Sequence, residues 1–281
     1  MVAQILDGKK VAAQIKSEIK NKIAVCTIAA RSPGLAVILV GDDPASQIYV
    51  KNKEIACDEV GIQSFAYFLP TQTTQNELLQ LIDELNQQKK VDGILVQLPL
   101  PTHIDSHAVI NAIHPQKDVD GFHPYNLGRL MQFQPMLRPC TPYGIMQLLT
   151  TYDIKLFGLH AVVVGASNIV GKPMAMELLM AKCTVTICHS ATQDLQTEIN
   201  HAQLLISAIG NPGVIHSEWI QSDAIVVDVG MNKMNGKLCG DIDFATANKK
   251  ASWITPVPGG VGPMTVAMLL SNTLKMYLTS I

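Results

Sequence analysis

The chain has 281 residues, 48% of them hydrophobic and 16% charged, with 21 Lys and Arg against 23 Asp and Glu for a formal charge of −2. That length suits two modest domains or one large one with sizeable buried faces. The near-neutral balance argues against an electrostatic grip on nucleic acid or anionic membrane, and no apolar run approaches the roughly 20 residues of a membrane span. In chain order, Met1 to Lys10 carries Asp7 and lacks the continuous apolar core of a secretory signal. Residues 8 to 29 space Val11, Ile15, Ile19 and Ile23 for a helix. Residues 35–40 are continuously apolar and predict a buried strand, ending in the turn Gly41-Asp42-Asp43-Pro44. The run Ala45 to Gly61 reads as a helix, with Pro44 ahead of it and Gly61 at its stop. On that helix Tyr49, Lys53 and Ser46 share a face. Two readings fit the pair: a partly buried lysine beside a phenol that handles protons, or a solvated surface.

Phe65 to Leu69 and Gly93 to Leu98 are further strand candidates, separated by a helix from Thr74 to Gln88. The alternation predicts parallel βαβ units with helices covering both faces. In such sheets the ligand lies beyond the carboxyl ends of the strands, a rim that takes in Gly41-Asp42 and Gln97-Leu98-Pro99-Leu100-Pro101. Gln97 there either meets a polar ligand group or is a satisfied strand-end amide. His103 and His107 are four apart but without the H-E-x-x-H pattern, and the six cysteines (26, 57, 140, 183, 188 and 239) form no C-x-x-C pair. No metal is expected, and reduced thiols in the cytoplasm are. The turn-rich Asp118 to Pro124 and the proline-rich Arg138 to Pro142 place the domain crossover between about 120 and 142, before an apolar helix from Pro142 to Tyr152.

From Ala161 the pattern restarts: a strand over 161–165, the turn Gly165-Ala-Ser-Asn-Ile-Val-Gly171-Lys-Pro173, a helix from Met174 to Ala181, then strands over 184–188, 204–208 and 225–229. The loop Pro256 to Pro263 leads to a last helix from about Met264 to Tyr277. This is a doubly wound nucleotide-binding layout. The glycine spacing is G-x-S-x-x-x-G, not G-x-G-x-x-G, yet the strand before and helix after let backbone N–H groups approach a pyrophosphate. A tight turn with no ligand is the alternative. Cys188-His189-Ser190-Ala191 offers no acid to repel a 2′-phosphate, and His189, Ser190 and Lys172 can help to hold one. NADP is therefore favoured over NAD, without the arginine that usually clamps the phosphate.

Six segments, in order, carry a resemblance: Tyr49-x-x-x-Lys53, Val96-Gln-Leu-Pro-Leu-Pro101, Lys117-Asp-Val-Asp-Gly121, Pro139-Cys-Thr-Pro142, the Gly165 to Pro173 turn, and Pro256-Val-Pro-Gly-Gly-Val-Gly-Pro-Met-Thr265. Over essentially its whole length the chain resembles the bifunctional methylenetetrahydrofolate dehydrogenase/cyclohydrolase family. The resemblance implies an α/β protein of two domains with an active-site cleft between them. These are an N-terminal α/β catalytic domain (1–140) and a doubly wound Rossmann-like NAD(P)-binding domain (141–270). A C-terminal helix, about 264–281, returns to pack on the first. It implies NADP-dependent oxidation of 5,10-methylenetetrahydrofolate, then hydrolysis to 10-formyltetrahydrofolate, in folate one-carbon metabolism.

By resemblance, Lys53 handles the proton of the cyclohydrolase step, Tyr49 stacks on the folate, Gln97 tunes Lys53 and Asp120 anchors the pterin. Val96, Leu98 and the loop Pro258, Gly259, Gly260, Val261 and Gly262 join them around the folate. Gly165, Ala166, Ser167, Ser190 and Met231 fall where the family holds NADP. Many relatives carry arginine in place of Ala166, and some directly after His189. Tetrahydrofolate derivatives and a second copy in a homodimer are the implied partners, with no nucleic acid and no membrane. A hydroxyacid or amino-acid dehydrogenase would instead carry the regular glycine fingerprint and an acid after the second strand. A nucleotide sensor would not need Lys53, Gln97 and Asp120, and a dehydrogenase without cyclohydrolase activity would not need Lys53 with Gln97.

Overall fold

The computed structural model describes residues 2–27, 30–234 and 236–280. The chain forms two compact α/β units and crosses between them after Ala12, at Cys140–Thr141 and at Thr265–Val266. It begins with the short strand β1 (Gln4–Ile5) and helix α1 (Gly8–Cys26). Of the helix expected over 8–29, residues 28 and 29 lie outside the described residues.

The first unit is built on β2 (Gly34–Val40), whose seven residues are all buried. Helix α2 (Pro44–Val60) follows at once: Asp43 caps it by accepting from Ser46 N at 2.8 Å. Pro44 opens it, where a missing N–H costs nothing, and Gly61 ends it with a left-handed φ of +88°. Strand β3 (Gln63–Leu69), helix α3 (Gln75–Gln87) and strand β4 (Gly93–Val96) complete a three-stranded parallel sheet with β2 in the centre. Leu78, Ile82 and Leu85 of α3 pack with Ala36, Ile38 and Ile94 in its core. β4 stops at Val96, short of the expected Leu98: Gln97 N still donates to Ile38 O at 2.8 Å, but Pro99 has no N–H to extend the ladder. Two short helices, α4 (Ser106–Ala112) and α5 (Pro124–Met131), were not foreseen. They start on side-chain caps from Asp105 and His123.

The second unit contains α6 (Cys140–Thr151), β5 (His160–Val164), α7 (Gly171–Met180), β6 (Thr184–Cys188), α8 (Leu195–Asn200), β7 (Leu204–Ser207) and β8 (Ile225–Asp228). A small hairpin, β9 (Asn232–Met234) with β10 (Lys237–Cys239), then α9 (Phe244–Ala247) and β11 (Trp253–Ile254) follow. The sheet is parallel throughout in the order β1-β11-β8-β7-β5-β6. Strands spread outward on both sides from the β5–β7 pair, which makes this a doubly wound, Rossmann-like sheet with its switch point there. Its interior strands are apolar and buried, as a parallel sheet covered on both faces requires. α7 begins three residues ahead of the expected Met174. Pro173 sits in its first turn, where it removes no helical bond.

Two expectations need correction. The sequence assigned residues 1–140 to one domain, but β1 pairs with β11, so residues up to Ala12 go with 141–265. The last helix, α10 (Val261–Ser280), starts before Met264, so Val261 and Gly262 form its first turn and are not loop. From Val266 onward α10 belongs to the first unit, where Tyr277 is fully buried and donates to Arg31 O. Ile281, the end of the expected helix, lies outside the described residues. No described helix is long and apolar enough to cross a membrane.

Candidate active site

On α2, Tyr49, Lys53 and Cys57 recur every four residues and so share a face. Lys53 Nζ donates to Gln97 Oε1 at 2.9 Å. The glutamine turns its oxygen to the lysine because its Nε2 donates to Leu98 O at 2.6 Å. That oxygen accepts equally from an ammonium or a neutral amine, so the tether survives a change in the charge of Lys53. Tyr49 is 37% exposed, which leaves its ring open to a ligand, and burial of its other side raises the phenol's pKa. Val96 is placed otherwise: at 7% exposure its side chain packs into the core beside Ile94.

Asp120 joins this group from the turn after the Ile94–Asp118 bridge. Gly121 allows the turn with a φ of +79°, where a Cβ would lie 2.6 Å from Pro139 N. Burial raises the pKa of Asp120, while the charge of Lys53 and a hydrogen bond from the Cys140 thiol pull it back down. Cys140 Sγ also lies 3.2 Å from Val119 O, so its single proton is shared between the two acceptors. Burial pushes this thiol well above its ordinary range and pushes Cys57 up to about 12. Neither is a nucleophile near neutral pH; Cys140 serves as a hydrogen-bond donor. Asn272 of α10 holds the same turn, donating to Val119 O and Arg138 O, both at 2.9 Å. Asp118 anchors the turn's other end, accepting from His123 N at 2.9 Å and Asn126 Nδ2 at 2.8 Å.

The roles of Cys140, Asn272 and Asp118 escaped the sequence reading. Cys140 and Asp118 both lay in segments quoted for the resemblance, but without a role. Asn272 gave no signal, being one polar residue in an apolar helix.

In the second unit, Gly165 has a φ of +122°, and a Cβ there would lie 2.3 Å from Ala208 O. The turn after β5 therefore lies against the end of β7, at the switch point. A Cβ on Gly171 would lie 2.0 Å from Gly165 O. Between them Ser167 Oγ accepts from Val170 N at 3.2 Å and Gly171 N at 3.3 Å, and Ala166 adds little bulk. Lys172 Nζ donates to Asn168 Oδ1 at 2.7 Å. Beyond β6, His189 Nδ1 accepts from Ala191 N at 3.2 Å, which leaves the ring proton on Nε2, and Ser190 is exposed beside it. Met231 follows β8, and a Cβ on Gly262 would lie 3.4 Å from its Cε. These parts fit a dinucleotide: close-packed glycines ahead of a helix N-terminus, and a strand-end turn without a carboxylate.

The Pro258–Gly262 segment is closely held. Gly259 has a φ of +113°, its carbonyl accepts from Lys9 N at 3.0 Å, and Gly260 N donates to Pro256 O at 2.8 Å. Among the described residues no group of three or more His, Cys, Asp or Glu gathers as a metal site. A ring nitrogen of His103 bonds Thr73 O at 2.9 Å.

Residues 6–120 match the family model for the catalytic domain of tetrahydrofolate dehydrogenase/cyclohydrolase, and residues 139–281 match that for its NAD(P)-binding domain. Among solved structures, the chain is similar to the bifunctional methylenetetrahydrofolate dehydrogenase/cyclohydrolase of Campylobacter jejuni, with 51% identity and a TM-score of 0.98 over 99% of this chain and 100% of that one. It is similar to the Trypanosoma brucei enzyme complexed with NADP and an inhibitor, at 39% identity and a TM-score of 0.96 over 100% of this chain and 99% of that one. It is also similar to a 5,10-methylenetetrahydrofolate dehydrogenase from the silkworm Bombyx mori, at 42% identity and a TM-score of 0.93 over 99% of this chain and 98% of that one.

Proposed function

The chain belongs to the tetrahydrofolate dehydrogenase/cyclohydrolase family, and from that premise we propose how its own residues carry the two reactions. It is a bifunctional enzyme that oxidises 5,10-methylenetetrahydrofolate to the 5,10-methenyl form with NADP and then hydrolyses that product to 10-formyltetrahydrofolate. NADP, when bound, supplies the redox chemistry of the first step. Gly165, Ala166 and Ser167 would hold its pyrophosphate at the start of α7, Ser190 and His189 would take the 2′-phosphate, and Met231 would be a further contact. With no carboxylate in the His189–Ser190 turn, the extra phosphate meets no like charge.

The second step needs an acid–base group. Water adds to the electrophilic methenyl carbon, Lys53 takes a proton from it, and the hydroxyl proton moves to N5 as the carbon–N5 bond breaks. One proton is released overall. Gln97 keeps Nζ in place in either protonation state, and the adjacent Asp120 stabilises the ammonium once it forms. Asp120 also receives the pterin's paired N–H donors, for which a carboxylate is the matching acceptor. Tyr49 covers the folate, with Leu98 and the Pro258, Gly259, Gly260, Val261 and Gly262 segment as further contacts.

The observation that carries this reading is the Lys53–Gln97 hydrogen bond at 2.9 Å, beside a carboxylate whose pKa the lysine lowers. Lys53→Met keeps an unbranched side chain, one atom shorter, and removes its proton chemistry. Its cyclohydrolase rate should fall by about 100-fold or more while dehydrogenase activity persists, so that methenyl-folate accumulates and is read by its absorbance. Full hydrolysis by the variant would remove Lys53 from the mechanism.

A homodimer in the cytoplasm completes the reading. β6 is one of the two edge strands of the large sheet and leaves Ile187 37% exposed, which suits a second copy. All six cysteines are free thiols, which suits a reducing compartment. The 10-formyl product would feed purine, histidine and methionine biosynthesis.

A further inference from the structure

Two buried carboxylates in the second unit have no part in the chemistry above. Asp228, at the end of β8, is 4% exposed, and Asp241, just beyond β10, is 1% exposed. Asp241 Oδ2 accepts from Ser207 Oγ at 3.0 Å, Ile209 N at 3.0 Å and Gly210 N at 3.1 Å. Its Oδ1 accepts from Asn232 Nδ2 at 2.9 Å. One side chain therefore joins the end of β7, the loop after β7 and the first residue of β9, where the loop after β8 ends. Asp228 holds the holder: it accepts from Asp241 N at 3.1 Å and Ile242 N at 2.9 Å, and from Gly230 N at 2.9 Å.

The fit leaves no room for alternatives nearby. A Cβ on Gly230 would lie 2.1 Å from Asp241 Oδ1, and one on Gly240 would lie 2.0 Å from Asp228 Oδ2. Four donors converge on Asp241, a demand that a two-oxygen carboxylate meets and an amide, with one oxygen, does not. Protein donors occupy both oxygens, which gives this acid a structural partner set and no call for a cation.

The loops it joins are the ones that the cofactor reading uses. Ala208 O, one residue before Ile209, is the atom against which Gly165 is packed, and Met231 lies between Gly230 and Asn232. We infer that Asp241 is a positioning residue for the dinucleotide: it fixes the loops after β7 and β8 at the spacing that cofactor binding requires. The inference rests on the assignment of this rim to NADP.

The two activities supply an internal control, because Lys53, Gln97 and Asp120 all belong to the other unit. In the full-length protein, Asp241→Asn should raise the KM for NADP by about 10-fold or more, the loss expected for one or two charge-assisted hydrogen bonds. Ser207→Ala, which removes one donor and leaves the carboxylate, should raise it by about 2- to 5-fold. Cyclohydrolase kcat/KM on methenyl-folate, assayed without cofactor, should stay within about twofold of wild type, well inside the tenfold that a lost 1.4 kcal/mol would give. An NADP KM unchanged in both variants would overturn the inference. So would a parallel fall of both activities with Tm, which would make Asp241 a residue of the fold alone. If Asp241→Asn does not fold, Ser207→Ala and Asn232→Ala decide by the same split. Failure of the wild-type enzyme to bind NADPH in a fluorescence titration would overturn the cofactor reading itself, and the inference with it.

Discussion

Asp118 illustrates how one residue can carry a pH signature into the whole protein. Burial lifts its carboxyl from the ordinary 3.8 to about 7, against hydrogen bonds from Asn126, His123 and Phe122 that pull it down. A carboxyl whose pKa is raised by folding contributes stability that is fully present below its unfolded value and is lost as pH rises through its folded value. Asp118→Asn removes that titration. Its Tm relative to wild type should therefore climb between about pH 4 and pH 7 and level off above, as the wild type loses the contribution and the variant does not. A constant difference in thermal scans across that range would contradict the assignment. At this scale the sequence marks Lys53, Gln97 and Asp120 as candidates, and the fold brings the three together. The sequence was silent where a residue acts by packing and donation at long range. Nothing in the spacing of Asn272, Cys140 or Asp241 shows that each would meet a turn or loop brought to it by the fold.

Elements were legible in proportion to their length and their punctuation. β2 is seven residues of continuous apolar sequence, and α2 is bracketed by Pro44 and Gly61. α3 shows the same logic at its start: Thr74 Oγ1 accepts from Glu77 N at 3.3 Å while Glu77 accepts from Thr74 N at 2.8 Å. Thr74→Ala should lower stability by about 1 kcal/mol, and Thr74→Ser should restore most of it, in chemical denaturation. An alanine variant as stable as wild type would mean that the packed face of Leu78, Ile82 and Leu85 alone holds the helix start. The strands β1 and β11 have two residues each, too few for any period, and are defined only by their partners. The start of α10 was hidden because Gly262 and Pro263 read as loop, although both are tolerated in a first helical turn.

At the scale of the molecule, neither unit is a continuous stretch of chain. Asn272 reaches back 153 residues to Val119 O and supports the turn that carries Asp120. Asn272→Ala takes its amide donor from the half-buried Arg138 O and leaves Val119 O with the Cys140 thiol as donor, a loss of about 1–3 kcal/mol. It should lower Tm and raise the cyclohydrolase KM for methenyl-folate, and an unchanged KM would show that Cys140 alone keeps Asp120 in place.

This threading also sets an order of completion during synthesis. β1 is translated well before β11 and waits for it, its partner at Trp253 and Ile254. The sheet of the first unit is fully translated by Val96, yet the donor that secures its Asp120 turn is not made until residue 272. The unit translated earlier is thus finished later, and a nascent chain stalled between Ile254 and Asn272 would hold all six strands of the larger sheet while the Asp120 turn still lacked its last support.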